Sequence, residues 1–468
     1  MRPAALLLDP PRHPRGVLSL SLPTVAACLR PAFAPRLLDL DFEPRADWER
    51  LLAADPEPAL IGLKVSAQNL REAQALSLMA RRVRPRAAVV WGGELPTLRP
   101  DLARGFAGCV VRGRFEARAE AFVADALAGR LRAEYDGTAA ALVPPVPALD
   151  LVERPERYLS FLGAPLEASL GCSEHCTFCL VHAMQPAARE FGLERLRRDL
   201  EANPRAFASV VDYNLGDRPE RLLSAARELG ASALRGWTCE ACLEALDDAE
   251  VLAALARARC RVVYCGLESV SEPALRSVAK TQNAVSEYRR VIARAQAAGL
   301  EIASGFILGL AGAGPDAADA FADFAQDAGL VYVKLTFLTF NPGTKALATM
   351  SERGRLLTED PAAYDGLRPT WLPPGVEPEA LYEQAARLVA RVYSWPAIWR
   401  RSRRLAADPL RRAEFVLFAR LFGESYRDWG RLAGPSPEGP RLLDAPYRKP
   451  ARAAAAEALL RAVRRLRV

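Results

Sequence analysis

Three cysteines, Cys172, Cys176 and Cys179, stand at a Cys-x3-Cys-x2-Cys spacing within the run Gly171-Cys172-Ser173-Glu174-His175-Cys176-Thr177-Phe178-Cys179. Thiolate is the natural ligand of iron-sulfur clusters, and so short a loop lets three of them converge on one inorganic centre. Three ligands on a four-iron cluster leave one iron open to a further molecule. A zinc knuckle would need a fourth ligand at similar range, which His175 or His182 could supply, and inert buried thiols are a third reading. Four more cysteines, Cys239, Cys242, Cys260 and Cys265, invite a second metal site. Residues 260 and 265 have opposite parity on an extended strand, which favours buried small hydrophobes, with Cys239 facing a cavity as an option.

With the aromatic Phe178 just before its last cysteine, the loop resembles that of the radical S-adenosylmethionine (SAM) superfamily. The resemblance implies that the open iron binds the amino and carboxylate groups of SAM and that the reduced cluster cleaves it to a 5'-deoxyadenosyl radical. It extends along the chain. Gly266-Leu267-Glu268-Ser269 matches the family stretch that contacts the ribose hydroxyls, which a carboxylate is suited to accept from. Gly305-Phe306-Ile307-Leu308-Gly309 matches the stretch whose backbone lies along the adenine, although the Glu that often follows is missing. Asp212-Tyr213-Asn214 falls where relatives place polar groups near the methionine moiety, without the usual Gly-Gly-Glu. Lys280 and Asn341-Pro342-Gly343-Thr344 recur in the same relatives. The SAM contacts so implied are Phe178, Asp212, Asn214, Glu268, Ser269, Gly305, Ile307 and Gly309; no catalytic side chain is singled out.

Nearer the amino terminus, strand ends carry Ser66, then Gly92-Gly93-Glu94-Leu95-Pro96-Thr97, then Arg112-Gly113-Arg114-Phe115-Glu116. Glycines there either turn the chain or let its backbone approach a ligand. Together these stretches look like the cobalamin-binding module fused ahead of many radical SAM proteins. That likeness implies cobalamin contacts at Ser66, Gly92, Gly93, Thr97, Gly113 and Glu116. The family's Gly-Glu-Gly-Glu is altered, since Arg114 and Phe115 replace its inner pair. No Asp-x-His-x-x-Gly is present, and His13 with Gly16 is only a fragment in another frame, so cobalamin is expected without a histidine axial ligand. A degenerate domain that has lost cobalamin is the alternative.

The elements that must position these residues are legible as alternating short apolar runs and amphipathic stretches. Strands over 4–8, 36–40, 59–65, 87–91 and 109–112, with helices over 18–29, 47–54, 70–83 and 115–127, predict an α/β, Rossmann-like, cobalamin-binding-type domain over 1–130. Prolines without periodicity make 131–160 a linker. Over 161–346 six strand-helix units predict a (β/α)6 partial TIM barrel, with strands at 166–170, 209–215, 234–239, 261–267, 301–310 and 331–340 and function at their carboxyl ends. A helical C-terminal region fills 347–468, with helices at 378–393, 397–405, 409–422 and 452–467. Its aromatics Trp371, Tyr382, Tyr393, Trp395 and Trp399 are expected in core packing, and 362–404 looks like the helical tail that covers the barrel mouth in relatives.

A chain of 468 residues, half hydrophobic and a quarter charged, fits two to three globular domains. Nine cysteines and no secretory h-region argue for a reducing, cytoplasmic setting. No apolar run approaches the roughly 20 residues that cross a bilayer, so no transmembrane segment is expected. The net charge of +7 comes with five lysines among 63 basic residues, but no finger or aromatic-interleaved basic block accompanies it, so nucleic acid is not expected. The activity implied is cobalamin-dependent C-methylation of an unactivated carbon by a radical SAM enzyme holding a 4Fe-4S cluster, SAM and cobalamin. The partners implied are a small-molecule lipid, tetrapyrrole or other natural-product intermediate and an electron donor such as flavodoxin or ferredoxin. A non-methylating radical oxidation or cyclisation on the same scaffold, and a non-catalytic sensor, are the rivals.

Overall fold

Two parallel sheets carry the molecule, and the computed structural model describes residues 2–426 apart from 13–16, 55, 139–142, 159–162, 186–188, 203–205 and 406–408. The first sheet contains β1 (Ala4–Asp9), β2 (Ala34–Asp39), β3 (Pro58–Lys64), β4 (Ala88–Gly92), β5 (Cys109–Gly113) and β6 (Glu134–Gly137), in the order β2-β1-β3-β4-β5-β6. Its central strands are apolar runs because helices cover both faces. Helix Leu70–Val83 places Leu70, Ala73, Leu76 and Ala80 on one stripe against that sheet. The β6 strand falls within 131–160, the stretch read from sequence as a linker. Its Glu134-Tyr135-Asp136-Gly137 has only Tyr135 as a large buried anchor, too little to register as an apolar run.

After it come β7 (Ala164–Leu166), β8 (Ser169–Leu170), β9 (Arg189–Glu190), β10 (Phe207–Val210), β11 (Gly236–Glu240), β12 (Cys260–Glu268), β13 (Glu301–Leu308) and β14 (Tyr332–Phe337). Six of these form an open half-barrel in the order β14-β13-β12-β11-β10-β7, every pairing parallel. The strand expected over 166–170 is two pieces: β7 joins the barrel, while β8 leaves it to pair antiparallel with β9. The break is fixed by Asp212, which accepts a hydrogen bond from the Ala168 N–H (2.8 Å) and another from the Ser169 hydroxyl.

The carboxyl-terminal helices differ from the expected lid. Helix Pro378–Tyr393 buries Leu381, Leu388 and Val392 in the barrel's outer core, and helices Trp395–Ser402 and Pro409–Ser425 run beside β14. They close the open edge of the sheet rather than its mouth. The Tyr393 hydroxyl accepts from the Val333 N–H (3.1 Å) and donates to the Val333 carbonyl (2.5 Å), and the Tyr426 hydroxyl accepts from the Leu335 N–H (2.9 Å). An unpaired strand edge is thereby satisfied by side chains. The segment around Tyr364 to Trp371 lies over the mouth, tied by the Trp371 indole N–H to the Gly309 carbonyl at 3.1 Å. Tyr393 and Trp371 are buried as expected, but Trp395 and Trp399 are 57% and 50% exposed, being four residues apart on the outer face of their helix. The expected helix over 452–467, and His13 with Gly16, lie outside the described residues. Among the described residues no helix is long and apolar enough to cross a membrane.

Candidate active site at the mouth of the half-barrel

The cysteine loop leaves β8 through Gly171, whose φ of 76° turns the chain, and ends on the short helix Leu180–Met184. Each end of it is anchored to the barrel. Ser173 N–H donates to Asp217 (3.2 Å) and Thr177 N–H to the Val278 carbonyl (3.0 Å). Donors converge on the sulfurs: Glu174 N–H and the Asn214 amide on Cys172 Sγ (3.5 and 3.6 Å), and the Gln282 amide on Cys176 Sγ (3.6 Å). Burial pushes the Cys179 thiol up, and proximity to Cys176 and Cys172 pushes it further. Burial also raises Cys176, against the pull of nearby Lys280 and the Gln282 amide. Buried thiols gathered on one short loop are poised for a shared cation, which offsets the cost of burial and holds them as thiolates.

A donor set of three thiolates on one short loop is the kind an iron-sulfur cluster takes. Zinc needs its ligands on one point, whereas a cluster gives each thiolate its own iron. Among the described residues no three His, Cys, Asp or Glu side chains close around one ion. His175 and His182 meet each other (Nδ1 to Nε2, 3.3 Å), and Cys239, Cys260 and Cys265 are buried in the barrel's hydrophobic core.

Glu268, at the end of β12, has a left-handed backbone (φ 62°) just past a register shift between Cys265 and Glu268. Two glycines make room for its carboxylate. A Cβ on Gly266 would lie 2.5 Å from Glu268 Oε1, and one on Gly305 would lie 2.6 Å from the Tyr264 hydroxyl and 2.9 Å from Glu268 Oε2. Lys280 Nζ stands 3.9 Å from Oε1. Burial raises the Glu268 carboxyl, while Lys280 and Lys334 draw it back down. Behind the turn, the Asn283 amide donates to the Gly266 and Leu267 carbonyls, both at 3.0 Å.

Glu268, Gly305, Ile307 and Phe178 from the barrel side and Ser66 from the first domain line one chamber of about 430 Å³. Ser66 caps the turn over residues 67–69, where Asn69 Oδ1 accepts from its N–H at 2.8 Å, and it faces the chamber. That fits a bound corrinoid at the carboxyl end of β3. Other expected contacts serve as scaffolding. Thr97 donates to the Gly93 carbonyl (2.7 Å) and accepts from the Gly113 N–H (2.9 Å), joining the loops after β4 and β5. Gly92 ends β4, and Gly93 (φ 111°) presses on Val65, where a Cβ would meet the carbonyl oxygen at 2.7 Å. Glu116 is engaged by Arg114. Asp212 braces β8, Asn214 also accepts from Gly216 and Cys242 N–H groups, and Ser269 accepts from Ser271 N–H. Gly309 (φ 86°) offers its carbonyl to Trp371.

Sequence reasoning missed the chamber's polar and charged lining: Arg12 and Lys64 from the first domain, the Tyr264 phenol and Lys334 from the barrel. Lys64 and Lys334 are two of the chain's five lysines, a scarcity that was the available signal. Lys64 is held by the Ser19 hydroxyl at 2.8 Å, and burial lowers its pKa.

Residues 166–325 match the Radical SAM superfamily and residues 15–123 match the B12 binding domain. The chain thus carries a radical SAM domain behind an amino-terminal B12-binding domain, and those two domains call for a 4Fe-4S cluster, SAM and cobalamin. Among relatives, it is 25% identical over 341 residues to bacteriochlorophyllide d C-12(1)-methyltransferase of Chlorobaculum tepidum, covering 70% of this chain and 73% of that protein. It is 26% identical over 226 residues to hopanoid C-2 methylase of Rhodopseudomonas palustris, covering 46% of this chain and 42% of the relative. In fold it is similar to the radical SAM methyltransferase TsrM of Kitasatospora setae, with a TM-score of 0.67 at 17% identity over 91% of this chain and 99% of that one. The cobalamin-dependent SAM radical enzyme OxsB superposes with a TM-score of 0.65 at 16% identity over 93% and 74%.

Proposed function

We propose that this enzyme transfers a methyl group to an unactivated carbon of a small-molecule intermediate of the lipid or tetrapyrrole type. The observation that carries the reading is the shared chamber: the ribose-type carboxylate Glu268, the adenine-type stretch at Gly305 and Ile307, and Ser66 of the first domain all open on one space beside the cysteine loop. When bound, the cluster with SAM supplies a carbon-centred radical and cobalamin supplies the methyl group. The chain's own residues bind and orient. Glu268 accepts from two ribose hydroxyls, and Lys280 and Lys334 favour its carboxylate against the burial that raises it. Gly305 lets the adenine lie against bare backbone. Phe178, Ile307 and Leu338 supply the apolar wall that keeps water from the reacting carbon. Relatives that methylate a bacteriochlorophyllide and a hopanoid support the substrate class. An electron donor of the flavodoxin or ferredoxin kind, in a reducing cytoplasm, completes the reading.

Anaerobic reconstitution with iron, sulfide and hydroxocobalamin tests it. The expected result is the absorption of both cofactors and, with dithionite and SAM, 5'-deoxyadenosine. Cys172→Ala, Cys176→Ala and Cys179→Ala should each abolish the nucleoside while sparing cobalamin uptake. With a lipid or tetrapyrrole acceptor the product should gain the mass of one methylene; a product that loses two hydrogens instead would replace methylation by oxidation.

A further inference from the structure

Arg114 occupies a position where the cobalamin-type pattern has glutamate, and its guanidinium meets two carboxylates. The fork spans two domains. Its Nε donates to Glu116 Oε1 at 2.6 Å, and its two Nη atoms donate to the two carboxylate oxygens of Glu167 at 3.3 and 3.1 Å. Glu116 belongs to the loop after β5 of the first domain; Glu167 directly follows β7 of the half-barrel. The triad is largely buried, with side-chain exposures of 24% for Arg114, 16% for Glu167 and 6% for Glu116. By contrast, Arg71 and Asp360, which join the first domain to the later chain elsewhere, are 49% and 40% exposed.

Both anchors are rigid. On one side Gly113 and Gly137 pack so closely that a Cβ on Gly137 would lie 2.2 Å from the Arg114 carbonyl oxygen, and Phe115 is buried against Phe122. On the other, Glu167 precedes Ala168 and Ser169, which Asp212 holds, and Leu170 and Gly171 then lead directly into Cys172. A planar guanidinium bonded through both Nη atoms fixes angle as well as separation, which a point charge does not.

We propose that Arg114 is a positioning residue that sets the orientation of the cobalamin domain on the cysteine loop, and so the distance from cobalt to cluster. The proposal rests on both cofactors being bound as the two domains require. It is tested on the reconstituted holoenzyme, reduced so that cobalt(II) and the cluster are both paramagnetic, by pulsed electron paramagnetic resonance of the cobalt–cluster dipolar coupling, with iron and cobalt content measured alongside. The wild type should give one narrow distance distribution. Arg114→Glu and Glu167→Arg should each broaden and shift it, and the double exchange should restore it. Single variants that leave the distribution unchanged, or a double variant that recovers nothing, would overturn the pin. If the reversals do not fold, Arg114→Lys, which keeps the charge and loses the fork, should broaden the distribution, and an unchanged one would equally overturn it. A wild type that takes up the cluster but no cobalt would remove the cobalamin reading along with the pin, an outcome the metal analysis separates from the others.

Discussion

Glu268 is held in a left-handed backbone conformation that costs a side-chain-bearing residue about 1–3 kcal/mol and persists only where its surroundings determine it. Asn283, buried behind the turn, and the glycines at 266 and 305 are those surroundings. Glu268→Gln keeps the backbone and removes the charge. Hydrogen bonds to a charged group contribute about 1.5–3 kcal/mol, so SAM binding should weaken by roughly 10- to 100-fold in equilibrium dialysis, with iron content unchanged. Asp212 makes a different prediction. Burial pushes its carboxyl from 3.8 to about 7, against the hydrogen bonds from Ser169 and Ala168. The folded state therefore holds a proton that the unfolded chain has released between those values. Stability is greatest at low pH in this window and falls as pH rises through about 7, by roughly 2–3 kcal/mol between about pH 5 and 8 from this group alone. Asp212→Asn should flatten the melting temperature over that range, and an unaltered pH profile would contradict the assignment.

At the level of elements, the sealed edge of β14 is the feature the sequence hid most completely. Tyr393 looked like one aromatic among several; nothing in its periodicity marks a hydroxyl that pairs with a strand 60 residues away. Tyr393→Phe and Tyr426→Phe each leave a buried N–H without its partner. Each should cost about 1–3 kcal/mol in urea unfolding, with little effect on cofactor content. Strand and helix positions were readable where the period was long: helix Leu70–Val83 and helix Pro378–Tyr393 fall on their expected residues. The split between β7 and β8 was not readable, because the carboxylate that causes it lies 44 residues further on. The cysteine spacing was legible for the opposite reason, its three ligands being local in the chain.

The chamber belongs to the whole molecule, since its lining runs from Arg12 to Gly366 and no local pattern announces it. Its walls depend on how closely the domains approach. Gly343, at a φ of 87°, lies against the first domain, and a Cβ there would be 2.7 Å from the Leu98 carbonyl oxygen. That contact gives the Asn341-Pro342-Gly343-Thr344 stretch a physical reason. Gly343→Val should wedge the domains apart, so that cobalt is lost on gel filtration while iron and 5'-deoxyadenosine formation remain. The edge of β14 bears on how the chain is made. Leu335 waits for Tyr426, 91 residues downstream. At about 5–20 residues per second a ribosome needs on the order of 5–20 s to deliver it. During that interval the nascent half-barrel carries a bare adhesive rim, so slower growth and abundant chaperones should raise the yield of native enzyme, and any early stop codon just upstream of Tyr426 should send the product into inclusion bodies.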